Sequence, residues 1–138
     1  MYTYPSFLTS GIWGLLGFIV GLAIYVTYLV SLMKTFQAVS PSARRMEPGL
    51  VFLLLIPLFN LIWNFFVVIK MRDSLQAEFA SRNLPGSGFG FGVGLAMSVL
   101  VALSLIPVLG LFTGLAGFIC WIIYWIQIVG YRRTLIPR

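Results

Sequence analysis

The sequence contains no histidine, one cysteine and three acidic residues among 138. Each scarcity removes a class of function. Histidine is absent, and Glu47, Asp73 and Glu78 all lie outside the apolar segments. The usual metal ligands and acid–base pairs are therefore missing, and no metal or other cofactor is expected. The serines, tyrosines and Cys120 have no base to activate them as nucleophiles, so the sequence reads as non-enzymatic. No carboxylate falls within an apolar run, which argues against a pump that passes protons through a buried acid. Cys120, being alone, forms no internal disulfide and leaves the redox compartment unread. Charge itself is sparse: 9% of residues are charged, against roughly 25% in a soluble domain.

What fills the sequence instead is apolar. Hydrophobic residues make up 60% of it, and the mean hydropathy is +1.02. A water-soluble fold of this length cannot hide that much apolar surface, so the expected solvent is lipid, and the length suits a single membrane domain over 1–138. The net charge of +6 would raise nucleic-acid binding in a soluble chain. Here the basic residues sit at the ends of apolar segments, where they fix orientation and meet anionic headgroups; membrane lipids, not nucleic acid, are the expected partners.

The N-terminal MYTYPSFLTSG has no basic region and no small-residue cleavage pattern, so the first apolar segment reads as a retained anchor and not a signal peptide. Tyr2, Tyr4, Pro5 and Phe7 suit a membrane–water interface. The first span is expected over 11–33, without a charge and with Gly11, Gly14, Gly17 and Gly21 on one side. In lipid such a face lets a second backbone approach closely, or forms a groove for a lipid or ligand. Residues 34–48 are a polar connector broken by Ser40-Pro41-Ser42.

The central stretch, 49–69, sets the topology. It carries Pro57 in its middle, with Asn60 and Asn64 one helical turn apart. A straight helix of this length just crosses a membrane, kinked at Pro57. The alternative is a re-entrant hairpin in which 49–56 descends, 57–60 turns and 61–69 returns, the asparagine amides satisfying freed backbone groups. If all four apolar segments span, the nine basic residues divide three against six between the two faces. If 49–69 re-enters, all nine lie on one face, as the positive-inside rule prefers. The expected fold is therefore all-α and integral to the membrane, with three transmembrane helices plus a re-entrant helical hairpin; four transmembrane helices are the alternative. The basic loops and C-terminus would be cytoplasmic and the N-terminus outside. The return arm is expected to leave the membrane as an amphipathic helix, with Leu75 and Phe79 on its apolar face and Glu78 paired with Arg82.

Residues 83–94, NLPGSGFGFGVG, tempt a phosphate-cradling reading, but no Gly-Lys-Ser/Thr follows. Close helix contact through Gly90 and Gly94 is the expectation. Two more spans follow, 89–106 and 111–131, joined by an apolar turn at 107–110 into an antiparallel hairpin, with Gly114 and Gly117 as another small-residue face. Trp121 and Trp125 share a face deeper than an interfacial belt would place them, so they are expected against protein. Leu-Ile-Pro occurs at 55–57 and 105–107; a transporter repeat would show such an echo, but motifs this short recur by chance in apolar sequence.

Arg44, Arg45, Pro48, Gly49, Ile56, Pro57, Asn60 and Trp63 together resemble the central stretch of a family of small bacterial membrane proteins of unknown function. That family has one or two basic residues, then Pro-Gly, an apolar run, Ile-Pro, and Asn followed by Trp or Pro. The resemblance covers about 30 residues. It implies a bacterial inner-membrane protein and no activity.

Three functional expectations follow. The first is a non-catalytic scaffold or accessory subunit that binds itself or other membrane proteins through the faces of Gly14, Gly17, Gly21, Gly90, Gly94, Gly114 and Gly117. The second is a homo-oligomeric channel or small transporter, with Asn60, Asn64 and Gln127 as pore or interhelical polar groups. The third is a lipid-interacting protein whose Arg44, Arg45, Arg132 and Arg133 meet anionic headgroups.

Overall fold

Apolar residues dominate the chain up to Val39, with no proline between Pro5 and Pro41, so nothing interrupts a first helix. The computed structural model describes residues 6–136, and α1 runs Ser6–Ala38, longer at both ends than the expected 11–33. Tyr2, Tyr4, Pro5 and Arg138 lie outside the described residues. The helix stops just before Ser40-Pro41, where the residue preceding a proline disfavours the α conformation. Arg44 then folds back onto the end of α1: its Nε donates to the Phe36 carbonyl at 2.8 Å and its Nη2 to the Val39 carbonyl at 3.1 Å. These are carbonyls that a helix C-terminus leaves without partners.

The central stretch is broken at Ile56-Pro57. Pro48–Leu55 forms a 3-10 helix, Ile56 is extended (φ −82°, ψ 112°), and α2 runs Pro57–Ser81. Pro57 has no N–H to donate to the turn behind it, and it pushes Ile56 out of the α region. The indole N–H of Trp63 donates to the Leu50 carbonyl at 2.9 Å. Those residues would stand roughly 20 Å apart on one straight helix, so the 3-10 helix lies back along α2. The reversal occurs at Ile56, not across the expected 57–60. Proline fits the first turn of a helix, where its missing donor costs nothing, so Pro57–Asn60 is already helical, and Asn60 N–H donates to the Ile56 carbonyl at 2.8 Å.

Beyond α2 the glycine-rich loop turns through left-handed backbone. Gly88 and Gly90 have φ +72°, and Phe89 between them has φ +46°. A bulky residue resists that region; Phe89 is held there by Phe79 and Tyr131, each ring centroid 5.1 Å away. Helix α3 begins only at Phe91 and ends at Leu103, so the expected 89–106 contracts to 13 residues, roughly 20 Å. Residues 104–109 turn, and α4 runs Gly110–Leu135 against α3. Gly110 belongs at that turn because a Cβ there would stand 2.6 Å from the Ser104 carbonyl oxygen. The Leu-Ile-Pro copies at 55–57 and 105–107 thus mark helix breaks. Among the described residues there is no strand, and two helices, α1 and α4, are long and apolar enough to cross a membrane.

The core lies toward one end. Leu29, Leu32 and Phe36 of α1, Val67, Met71 and Leu75 of α2, and Tyr124 and Ile128 of α4 are buried, while every residue from Ser6 to Ile24 is exposed. Glu78, 1% exposed, ties that end together. Its Oε2 accepts from the Ser40 N–H at 3.1 Å and from the Ser40 hydroxyl, and its Oε1 accepts from Arg82 Nε at 2.7 Å. Arg82 reaches on to the Leu135 carbonyl at 2.8 Å, and the Arg45 N–H donates to Ser74 Oγ at 2.9 Å. The ends of α1 and α4 are so fastened to the polar half of α2. Leu75 and Phe79 sit on that helix's buried side.

Burial alone would raise the Glu78 carboxyl, but the Ser40 donors and then Arg82 outweigh it and hold it below the ordinary value of 4.5. Because the folded value is depressed, the stability this carboxylate contributes is complete above about pH 4.5 and is lost as the pH falls further. Glu78→Gln should cost on the order of 2–4 kcal/mol at neutral pH, since it leaves donors without their charged acceptor. Thermal unfolding in detergent at pH 7 and pH 4 checks this: the native chain should weaken in acid, and the variant should not weaken further.

The same geometry sorts the glycines. A Cβ on Gly94 would meet Tyr124 at 2.7 Å and Val68 at 2.8 Å, whereas one on Gly14 or Gly17 meets nothing within 4 Å. Gly94→Ala should therefore destabilise by roughly 1–3 kcal/mol, and Gly14→Ala and Gly17→Ala should not, as read from unfolding midpoints.

Candidate functional site

Where α1 emerges from the core it diverges from the α3–α4 hairpin, and a cavity of about 450 Å³ opens between them. That volume is typical of small-molecule and cofactor sites. Gly21 and Ile24 of α1 line it on one side and Gly114, Gly117 and Phe118 of α4 on the other; Asn60 and Asn64 of α2 line it too, with the rings of Tyr25, Tyr28 and Trp121. Glycines on facing helices keep the space open: nothing lies within 4 Å of a Cβ built on Gly21 or Gly114.

Two short relays organise the polar floor. Asn60 Nδ2 donates to the Tyr25 hydroxyl at 3.0 Å, which donates to the Leu54 carbonyl at 3.3 Å. The amide thus reaches, through a tyrosine, a carbonyl at the end of the broken 3-10 helix. Asn64 Nδ2 donates to Ser98 Oγ at 2.9 Å, and Ser98 donates to the Gly94 carbonyl at 2.9 Å. One amide tethers α2 to α1 and the other tethers α2 to α3.

Part of the lining is aromatic. Tyr28 meets Trp121 and Trp125 edge to face, with centroids 5.2 and 5.7 Å away and both planes at 71°, the preferred arrangement for such rings. The Tyr28 hydroxyl and the Trp121 Nε1–H are both buried and find no hydrogen-bond partner among the described residues. Buried donors are rarely left so.

The expected site residues separate into groups. Asn60 and Asn64 meet at the cavity; Gln127 does not, lying beside Gly90, with its Oε1 3.0 Å from where a Cβ on that glycine would be. Gly90, Gly94 and Gly117 have close neighbours, while Gly14, Gly17, Gly21 and Gly114 have none within 4 Å. The first set packs helices because Tyr124 lies against Gly90 and Gly94, and Leu100 and Val101 against Gly117; the second set fronts open space. Arg44 is occupied by the carbonyls of α1, Arg45 and Arg133 are exposed, and Arg132 is half-buried. The loop 85–90 borders a second hollow of about 330 Å³ beside Arg72, whose guanidinium pairs with Asp73 and lies 4.3 Å from the Phe91 ring centre. No protein-family model, curated protein or solved structure matches the chain.

Tyr25 and Tyr28 are the residues that sequence reasoning passed over. The signal was present: they lie nine and six residues short of Lys34, roughly 14 and 9 Å along the helix. The depth argument that singles out Trp121 and Trp125 applies equally to them.

A double-mutant cycle on Asn64→Leu and Ser98→Ala should return a coupling of about 0.6–1.7 kcal/mol, the range for hydrogen bonds between membrane helices. Unfolding in mild detergent measures it. Additive effects would mean that the pair does not act as a tether.

Proposed function

We propose that this chain is a non-catalytic integral membrane protein that holds a lipid-class apolar molecule in the groove between α1 and the α3–α4 hairpin. In this reading α1, α3 and α4 cross the bilayer, the turn at 104–109 completing the crossing that α3 alone is too short to make. The 3-10 helix and the first half of α2 enter from one face and return to it. The face carrying Arg45, Arg72, Arg82 and Arg133 is cytoplasmic, in keeping with the positive-inside rule, and the resemblance of the central stretch argues for a bacterial inner membrane. The exposed apolar surface from Phe7 to Ile24 suits a lipid solvent and is hard to reconcile with water.

The observation that carries the reading is the groove itself. It has apolar and aromatic walls, glycines that leave it unfilled, and two asparagines whose amides each already donate one bond to a neighbouring helix. Such a site favours a largely apolar occupant arriving sideways from the bilayer. The channel reading loses ground on the same facts, because Gln127 is remote from Asn60 and Asn64, and both amides donate to helix tethers. The scaffold reading keeps one observation in its favour: Gly11, Gly14 and Gly17 lie on a stretch of α1 with no neighbour in the chain, and a partner helix would suit it.

Native mass spectrometry of protein released gently from its own membranes tests the proposal. The wild-type chain should carry a lipid-sized adduct, and the double variant Gly21→Leu, Gly114→Leu, which fills the groove from both walls, should lose most of it while folding normally. A wild-type chain free of lipid but in stoichiometric complex with other proteins would replace this reading with the scaffold.

A further inference from the structure

The groove is not uniformly apolar, and its asparagines have bonding capacity left over. Asn60 and Asn64 both line it, and each donates one Nδ2 hydrogen to a hydroxyl. Those hydroxyls donate in turn to the carbonyls of Leu54 and Gly94. A carbonyl can only accept, so the direction of each relay is fixed. Tyr25 and Ser98 must accept from Nδ2, and each amide oxygen is left for another partner. Neither Oδ1 accepts a hydrogen bond from a described residue, and neither is sealed in protein as the Tyr28 and Tyr124 hydroxyls are. Asn64 is the sharper case. The residue is only 7% exposed, yet its unpaired oxygen keeps open surface, and of the two hollows it borders the groove alone. A plain hydrocarbon chain in the groove would leave that acceptor unmet, which is costly. A molecule with a donor relieves the cost.

Depth and charge narrow the donor. Asn64 lies six residues before Lys70 and Asn60 ten, roughly 9 and 15 Å inward along α2. The hydrocarbon core is about 30 Å thick, so in the topology proposed above both amides stand below the headgroups. A phosphate or ammonium group would have to give up its hydration to reach them, which is prohibitive without an opposite charge, and no charged residue lines the groove. The donor must therefore be small and uncharged. A hydroxyl suits the amide best, because it donates to Oδ1 and can accept the remaining Nδ2 hydrogen; an ester or ketone only accepts. Resting on the groove reading above, we infer that the occupant is an uncharged lipid alcohol. Its hydroxyl donates to Asn64 Oδ1, and its hydrocarbon chain runs outward between Gly21 and Gly114.

The test uses the full chain in phospholipid nanodiscs. The probe is hexadecanol with a photoreactive diazirine in its chain. Its methyl ether, which keeps the oxygen and the chain but has no donor, is the comparison. The alcohol should label the chain saturably, on α1 and α4, and bind about fivefold to tenfold more tightly than the ether, the effect of one hydrogen bond. Asn64→Leu should bring the alcohol down to the level of the ether and leave the ether unchanged. An equal loss of both would mark a residue that only shapes the groove, and overturns the inference. Should that variant fail to fold, the wild-type comparison decides: alcohol and ether binding alike overturns the inference while leaving the groove as a site for apolar molecules. Saturable labelling by neither overturns both.

Discussion

Pro57 has no amide hydrogen, and much of the architecture follows from that. A helix entering from Gly49 cannot run through it without losing a bond and forcing a clash with the turn before. The chain resolves this by ending one helix at Leu55, extending Ile56 and starting another helix at Pro57. The two arms then lie together, pinned by the Trp63–Leu50 bond. With the first turn of α2 fixed, Asn60 faces α1 and Asn64 faces α3, and these two amides become the floor on which the groove stands.

A second node holds the opposite end. Glu78 gathers Ser40 from the connector and Arg82 from its own helix, and Arg82 gathers the end of α4. A buried carboxylate is tolerable only when its oxygens are met by donors and by opposite charge, and here both are supplied. The consequence is asymmetry. The helices are fastened where their polar ends meet and diverge away from that point, so the packed core occupies one end and an apolar groove the other. In the bilayer proposed for it there is no hydrophobic force to close that groove, and packing and hydrogen bonds decide where helices touch.

That principle explains which features were legible in the sequence. A break or kink near Pro57, the stop before Pro41, the pairing of Glu78 with Arg82 and the placing of Trp121 against protein follow from local chemistry: proline's missing donor, helical spacing and depth along a span. The glycines were legible as small residues but not by role. Gly94 and Gly117 pack against neighbours, while Gly21 and Gly114, of the same kind and spacing, line open space. Arg44 reads as a headgroup ligand by position, yet it caps a helix because the connector turns it back toward Phe36 and Val39. Gln127 and the asparagines share a chemistry but not a place.

The amino-acid sequence alone determined the helical class, the interruptions near Pro41, Pro57 and Pro107 and the concentration of basic residues at segment ends, because these depend on backbone donors, periodicity and charge within one or two turns. Tertiary structure alone decided which polar groups meet. The Asn60–Tyr25 and Asn64–Ser98 contacts join residues more than thirty positions apart. So did it decide that Tyr28 packs edge to face on Trp121 beside the groove. Those outcomes depend on how helices lean on one another, and that is set by the sum of many weak contacts across the core, which no local pattern of residues records.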